Sequence, residues 1–206
     1  LVDNIYQYSE TLMQKRIGIF GGSFDPIHYG HLIAARAAAE RLRLDRVILV
    51  PAGNPPHKKA GKMSASGHRM RMARLAVGND KLFVVSDHEI RSDKTSYTVD
   101  TLRVFRKLYP SARLFLLVGA DQAELFSTWR EPDQLFALAG VCVLSRPGSG
   151  WDKIEPRWAG RIRKIEVPAV EISASDIRKR VRAGKSIRYL VPEPVSSYIS
   201  SKKLYR

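Results

Sequence analysis

Cysteine is almost missing from this chain: among 206 residues only Cys142 is one, and it lies inside the apolar run GVCVLSRP. That excludes a disulfide framework and a cysteine-based metal site, and makes a reducing cytoplasm the expected location. Long apolar runs are missing too. No stretch approaches the roughly 18 residues needed to cross a bilayer, and LVDNIYQYSETLMQK lacks the charged, apolar and small-residue zones of a secretory signal. Residues 1–15 are therefore read as an N-terminal extension or a poorly ordered lead-in, and none of the functional argument rests on them. Acidic residues are scarce beside basic ones, 20 against 35, for a formal charge of +15. Such a field attracts polyanions, nucleotides and nucleic acids alike, and does not choose between them. In RLRLDR, RWAGRIRKIE and IRKRVRAGKSIR the basic residues alternate with apolar ones. They read as solvated faces, and no recognised nucleic-acid motif accompanies them.

What is present is enough apolar material for one sizeable core, 44% of residues, so residues 16–206 are expected to form a single domain. The runs RIGIF (16–20), RVILVP (46–51), LFVVSD (82–87), RLFLLVG (113–119) and GVCVLSRP (140–147) are short, branched and not alternating, as in strands buried on both faces. RIRKIEVP (161–168) adds a further candidate. Helical patterns separate them: GHLIAARAAAERLRL, GHRMRMARLAVG, SYTVDTLRVFRKLYP, and a pair around DQAELFSTW and EPDQLFALAG. Two more helices, near 175–183 and from Pro194 to Lys202, follow. Alternating strands and helices predict an α/β fold, a doubly wound parallel sheet with right-handed crossovers and C-terminal helices. PAGNPPHKKAGKMSASG and RPGSGWDKIEPRW read as long irregular loops, which in compact domains are often functional.

The stretch GIFGGSFDPIHYGHL (18–32) sets glycines and two histidines between a strand and a helix. Ligands of open parallel sheets bind beyond the carboxyl ends of the strands. There Gly21 and Gly22 permit close backbone approach, and a helix starting near Gly30 offers unpaired amides to phosphate. His28 and His31 can donate to different oxygens of one polyphosphate. A pair of capping or core histidines is the plainer alternative. A metal site would need a third ligand, and Asp25, the nearby candidate, precedes a proline that turns it elsewhere. At the other end, ISASDIRKRVRAG places Ser173 or Ser175 as an N-cap with Asp176 in the first turn, a second set of free amides, and Arg178 in that turn able to fork onto phosphate. GKS at 184–186 lacks the upstream glycine of a phosphate-binding P-loop and is rejected as one.

GGSFDPIHYGH resembles the signature of the HxGH nucleotidyltransferase superfamily, and its fuller form is similar to bacterial nicotinate-nucleotide adenylyltransferases. ISASDIRKRVRAG resembles that family's ISxSxIR segment, and PPHK (55–58), SYTVDTL (96–102), GADQAELFSTW (119–129), LSRPG (144–148) and YLVPEPVSSYI (189–199) match further family blocks. The resemblance spans about residues 16–199. It implies a Rossmann-like nucleotidyltransferase that transfers AMP from ATP to nicotinate mononucleotide, giving deamido-NAD and pyrophosphate in NAD biosynthesis, with Mg2+ carried in by ATP. It also extends the expected ATP site to Ser23 and Phe24, and gives the positions matching Thr98 and Trp129 to the nicotinate moiety.

On residue chemistry alone, Trp129 is a flat amphipathic plate that serves a pyridine ring or a core equally well, with Tyr97 and Thr98 as hydrogen-bonding neighbours. Lys58 and Arg146 are candidate phosphate contacts or solvated charges. Gly119 and Asp121 stand at a strand end, where a ribose or ATP group is expected. Catalysis is expected from His28, His31 and Arg178, with ATP also held by Ser173 and Ser175. The expected partners are ATP and nicotinate mononucleotide; self-association is left open, and neither nucleic acid nor membrane is expected. The rivals are an adenylyltransferase of the same fold with another acceptor, such as phosphopantetheine, a nucleic-acid-binding module, and a nucleotide sensor without turnover.

Overall fold

A computed structural model describes residues 14–56, 63–145 and 154–206. The remaining parts of the expected N-terminal extension and of the two long loops lie outside the described residues. Six parallel strands form one sheet: β1 (Arg16–Gly22), β2 (Arg46–Pro51), β3 (Phe83–Val85), β4 (Arg113–Gly119), β5 (Gly140–Ser145) and β6 (Arg163–Glu166). Their order is β3-β2-β1-β4-β5-β6, so the winding reverses between β1 and β4. That reversal opens a crevice at the carboxyl ends of the two strands. Lys15 is already tied to the sheet, its carbonyl accepting the amide of Arg113 at 2.7 Å.

The side-chain period of two sorts each central strand into two cores. Ile17 and Ile19 of β1, Ile48 and Val50 of β2, and Leu114, Leu116 and Val118 of β4 face one layer. That layer holds α3 (Thr98–Leu108), α5 (Pro132–Leu138) and the short α6 (Pro156–Ala159), through Val99, Leu102, Phe105, Leu135 and Trp158. Phe20, Leu49, Phe115 and Leu117 face the other, which holds α1 (Tyr29–Leu42), α2 (Ser66–Val77), α7 (Ala174–Arg182) and α8 (Glu193–Ser201). The small residues Ala35, Ala38 and Ala39 bring α1 close to the sheet. A one-turn helix, α4 (Ala120–Ala123), leads from β4 into a 3-10 turn at Phe126–Thr128.

Two expectations about the elements are corrected. β3 and β6 are shorter than their apolar runs because each is an edge strand with one neighbour, exposed at Val84 in β3 and at three of four positions in β6. The segment expected as an irregular loop up to Trp158 contains α6, started by Pro156 and anchored by the buried Trp158.

Candidate active site

The turn after β1 is shaped by one residue in an unusual conformation. Phe24 has φ 46, the left-handed region that non-glycine residues seldom occupy. This sends its ring under the site, edge-on to His31 at 5.1 Å between centroids. Gly22 leaves the room: a Cβ there would come within 3.0 Å of the Phe24 ring. Phe24, expected beside ATP, is 1% exposed and supports His31 from behind.

His28 is the N-cap of α1, in extended conformation, and His31 is the third helical residue. The His28 amide donates to Nδ1 of His31 at 3.3 Å, and the two rings stack with centroids 3.7 Å apart. Because Nδ1 accepts, the neutral His31 ring carries its proton on Nε2. Gly30 is needed for this geometry, since a Cβ would meet His28 Nδ1 at 3.0 Å. The histidines are therefore helix caps and lie against the cleft as well. Asp25 is turned away from them: its carboxylate accepts the Ser64 amide at 3.1 Å and the Tyr205 hydroxyl at 2.7 Å.

Across the crevice, Ser173 caps α7, its hydroxyl accepting the Asp176 amide at 3.1 Å. The same hydroxyl donates to the Asp176 carboxylate, and with Lys179 it holds that carboxyl below its usual range. Ser175 is the second helical residue, so Arg178 falls in the second turn of α7, one turn further in than expected. Its guanidinium donates to the Asp25 carbonyl at 2.6 Å and to the Ser175 hydroxyl at 3.2 Å. Gly184, at φ 65, ends the helix with its amide on Val181 and that of Lys185 on Arg180, a Schellman closure.

At the far end Tyr97 is the N-cap of α3 and Thr98 its first residue, so the free amides of that helix open beside them. Trp129 follows the 3-10 turn, packed on Phe126 at 4.9 Å. Two residues not anticipated from the sequence join them. The Arg130 guanidinium lies 4.8 Å over the Tyr97 ring and is ion-paired with Asp100 at 3.6 Å and Glu131 at 3.5 Å, while Arg103 donates hydrogen bonds to the same two carboxylates. Glu89 accepts the Gly53 amide at 3.3 Å and the Thr101 hydroxyl at 2.7 Å. A basic residue directly after a candidate aromatic plate was a usable signal for Arg130; nothing in SDHEIRSD marked Glu89.

These ends share one cleft of about 730 Å³, lined by Gly21, Gly22, Ser23, His28, His31, Gly119, Asp121 and Ser173 and by Tyr97, Thr98, Trp129, Glu89 and Arg130. That volume lies in the range of small-molecule sites. Ser175 and Arg178 stand outside this lining, and Lys58 and Arg146 lie outside the described residues. At Gly119 a Cβ would meet Asp121 Oδ1 at 2.7 Å, so a larger residue there would displace the Asp121 carboxylate from its present position.

The cytidylyltransferase-like family matches residues 19–180. A protein of Desulfitobacterium hafniense named "Probable nicotinate-nucleotide adenylyltransferase" is 45% identical over 93% of this chain and 96% of its own length. The chain belongs to the nicotinate-nucleotide adenylyltransferase family of cytidylyltransferase-like proteins. A second adenylyltransferase relative of the same printed name, from Thermoanaerobacter, is 41% identical over 94% of this chain and 95% of its own. Among solved structures, the nicotinic acid mononucleotide adenylyltransferase of Plasmodium falciparum, complexed with NaAD, superimposes with a TM-score of 0.77. It covers 93% of this chain and 98% of its own at 22% identity, and shows the shared fold.

Proposed function

We propose that this adenylyltransferase transfers AMP from ATP to nicotinate mononucleotide, forming deamido-NAD and releasing pyrophosphate, as a cytoplasmic enzyme of NAD biosynthesis. The observation that carries the reading is the shared cleft: a histidine-capped phosphate turn at one end and an aromatic plate with a helix N-terminus and Arg130 at the other. Two anionic nucleotides can enter from the two ends with their phosphates meeting between. A phosphate oxygen of the mononucleotide attacks the α-phosphorus of ATP, a new P–O bond forms, and the bond to the bridging oxygen breaks with its electron pair leaving on pyrophosphate. The attacking oxygen is already ionised, so no general base is needed. Positioning and charge stabilisation do the work.

His28 and His31, with Gly21, Gly22 and Ser23, hold the ATP phosphates, and His31 Nε2–H meets charge developing in the transition state. Arg178 retains donors beyond the two it uses, and with Ser173 and Ser175 it receives the departing pyrophosphate. Gly119 and Asp121 hold the nucleoside side of ATP. Tyr97, Thr98 and Trp129 bind the nicotinate moiety, and Lys58 and Arg146 its phosphate. Mg2+ belongs to this reading as an ion carried on the nucleotide's own phosphate oxygens. Among the described residues no cluster of three His, Cys, Asp or Glu side chains is assembled to hold one. The test is pyrophosphate release with ATP and, in turn, nicotinate mononucleotide, nicotinamide mononucleotide and phosphopantetheine. Release with nicotinate mononucleotide at the highest kcat/KM is expected. Preference for phosphopantetheine, or ATP binding without turnover, overturns the reading.

A further inference from the structure

The buried carboxyl of Asp25 has no part in the chemistry above, yet four segments of the chain meet on this residue, which is 3% exposed. Oδ1 accepts the Tyr205 hydroxyl at 2.7 Å, Oδ2 accepts the Ser64 amide at 3.1 Å, and the main-chain carbonyl accepts Arg178 at 2.6 Å. Beside it Arg69 of α2, itself 1% exposed, donates to the carbonyls of Ser64, Ser23 and Gly53. The turns after β1 and β2 are thereby fastened behind the phosphate end of the cleft. Tyr205 reaches this cluster through an unusual backbone. Lys203 has φ 50 and Tyr205 has φ 64, and non-glycine residues keep such angles only where their surroundings over-determine them. Burial and the neighbouring Asp25 carboxylate push the Tyr205 phenol up, so it remains a neutral donor throughout the working pH range.

We propose that Tyr205 is a positioning residue for ATP: by holding the Asp25 carboxylate, its hydroxyl keeps Arg178 on the Asp25 carbonyl and so aims the guanidinium at the nucleotide's phosphates. The inference rests on Arg178 serving the ATP phosphates, as proposed above. Without the hydroxyl, buried Oδ1 loses its donor; of the two guanidiniums beside Asp25, Arg69 is committed to three carbonyls, so Arg178, already on the Asp25 main chain, is the one to supply a charge-assisted replacement. Arg178 then turns from the carbonyl to the carboxylate and away from phosphate.

Tyr205→Phe keeps the ring and its packing and removes only the hydroxyl. Equilibrium binding of a non-hydrolysable ATP analogue, measured without any acceptor, is expected to weaken about fivefold to fiftyfold, as is usual for a buried acceptor left unpaired. KM for ATP should rise alongside it, while KM for nicotinate mononucleotide stays as in wild type. In an Arg178→Ala background the same substitution should add nothing, because both changes break one link. Unchanged analogue binding in Tyr205→Phe, equal shifts in both KM values, or effects that multiply in the double variant would each overturn the proposal. The analogue arm does not depend on the acceptor: a wild type that binds the analogue but makes no pyrophosphate sinks the transferase reading and leaves this one to be decided by Tyr205→Phe. A wild type that does not bind the analogue overturns both.

Discussion

Replacing His31 with alanine separates two jobs that the structure gives to one ring. The first is structural: Nδ1 accepts the His28 amide at 3.3 Å and the ring stacks on His28. Loss of an N-terminal helix cap costs about 1 kcal/mol, which in a chain of this size lowers the melting temperature by about 2–4 °C. The second is chemical. His31 lines the cleft, and removing one preorganised donor to developing oxyanion charge costs about 2.7–4 kcal/mol, or about a hundredfold to a thousandfold in kcat. The two losses are read independently, by thermal melting and by pyrophosphate release at saturating ATP and nicotinate mononucleotide. His31→Gln divides them further. A glutamine at the third helical position can accept the N-cap amide as in a capping box, so melting should return to wild type while turnover recovers only in part. A folded His31→Ala enzyme with near wild-type kcat would refute the assignment of transition-state charge to His31.

Further outcomes follow from the same geometry. Arg130→Met should lower kcat/KM for nicotinate mononucleotide about fivefold, a value reduced for its half-exposed position, and leave nicotinamide mononucleotide unaffected; equal losses with both would remove Arg130 from acid recognition. Trp129→Ala should raise KM for either mononucleotide but not for ATP, and a change in ATP KM alone would put the plate elsewhere. Asp176 has a carboxyl held low by the Ser173 hydroxyl and then by Lys179, so its stabilisation is complete above about pH 4 and is lost as pH falls through the lower folded value. The melting difference between wild type and Ser173→Ala should therefore narrow in acid, and a difference independent of pH would contradict the pairing. Burial pushes the Cys142 thiol up to about 11, so a disulfide-exchange reagent at pH 8 should label it only after denaturation.

The central strands were legible because burial on both faces writes an unbroken apolar run. β2 and β4 have the bounds read from RVILVP and RLFLLVG. At the edges the same reasoning overran, since an apolar residue beside a one-sided strand is not obliged to join the ladder. α6 went unread because four residues carry no helical period, and only the burial of Trp158 reveals what Pro156 begins. The phosphate turn was legible for a different reason: glycines, histidines and a helix start are local in sequence, so their chemistry could be assembled without the fold.

What could not be read is convergence over distance. Tyr205 meets Asp25 across 180 residues, and neither periodicity nor spacing connects them. Arg69 makes the point with charge. As one of three arginines in HRMRMARLAVG it belongs, by its type, on a solvated face, yet it is among the largest fully buried side chains. Desolvation lowers its pKa, a cost that a helix alone would never impose. The compensation comes from the nearby Asp25 carboxylate and from the carbonyls of Ser23, Gly53 and Ser64, which lie in turns outside the strands and helices. A planar fork with five donors can serve three such acceptors at once, which a lysine cannot do with the same geometry. The loops that build the cleft therefore created the demand that buried this arginine, and that demand exists only once β1 and β2 lie side by side.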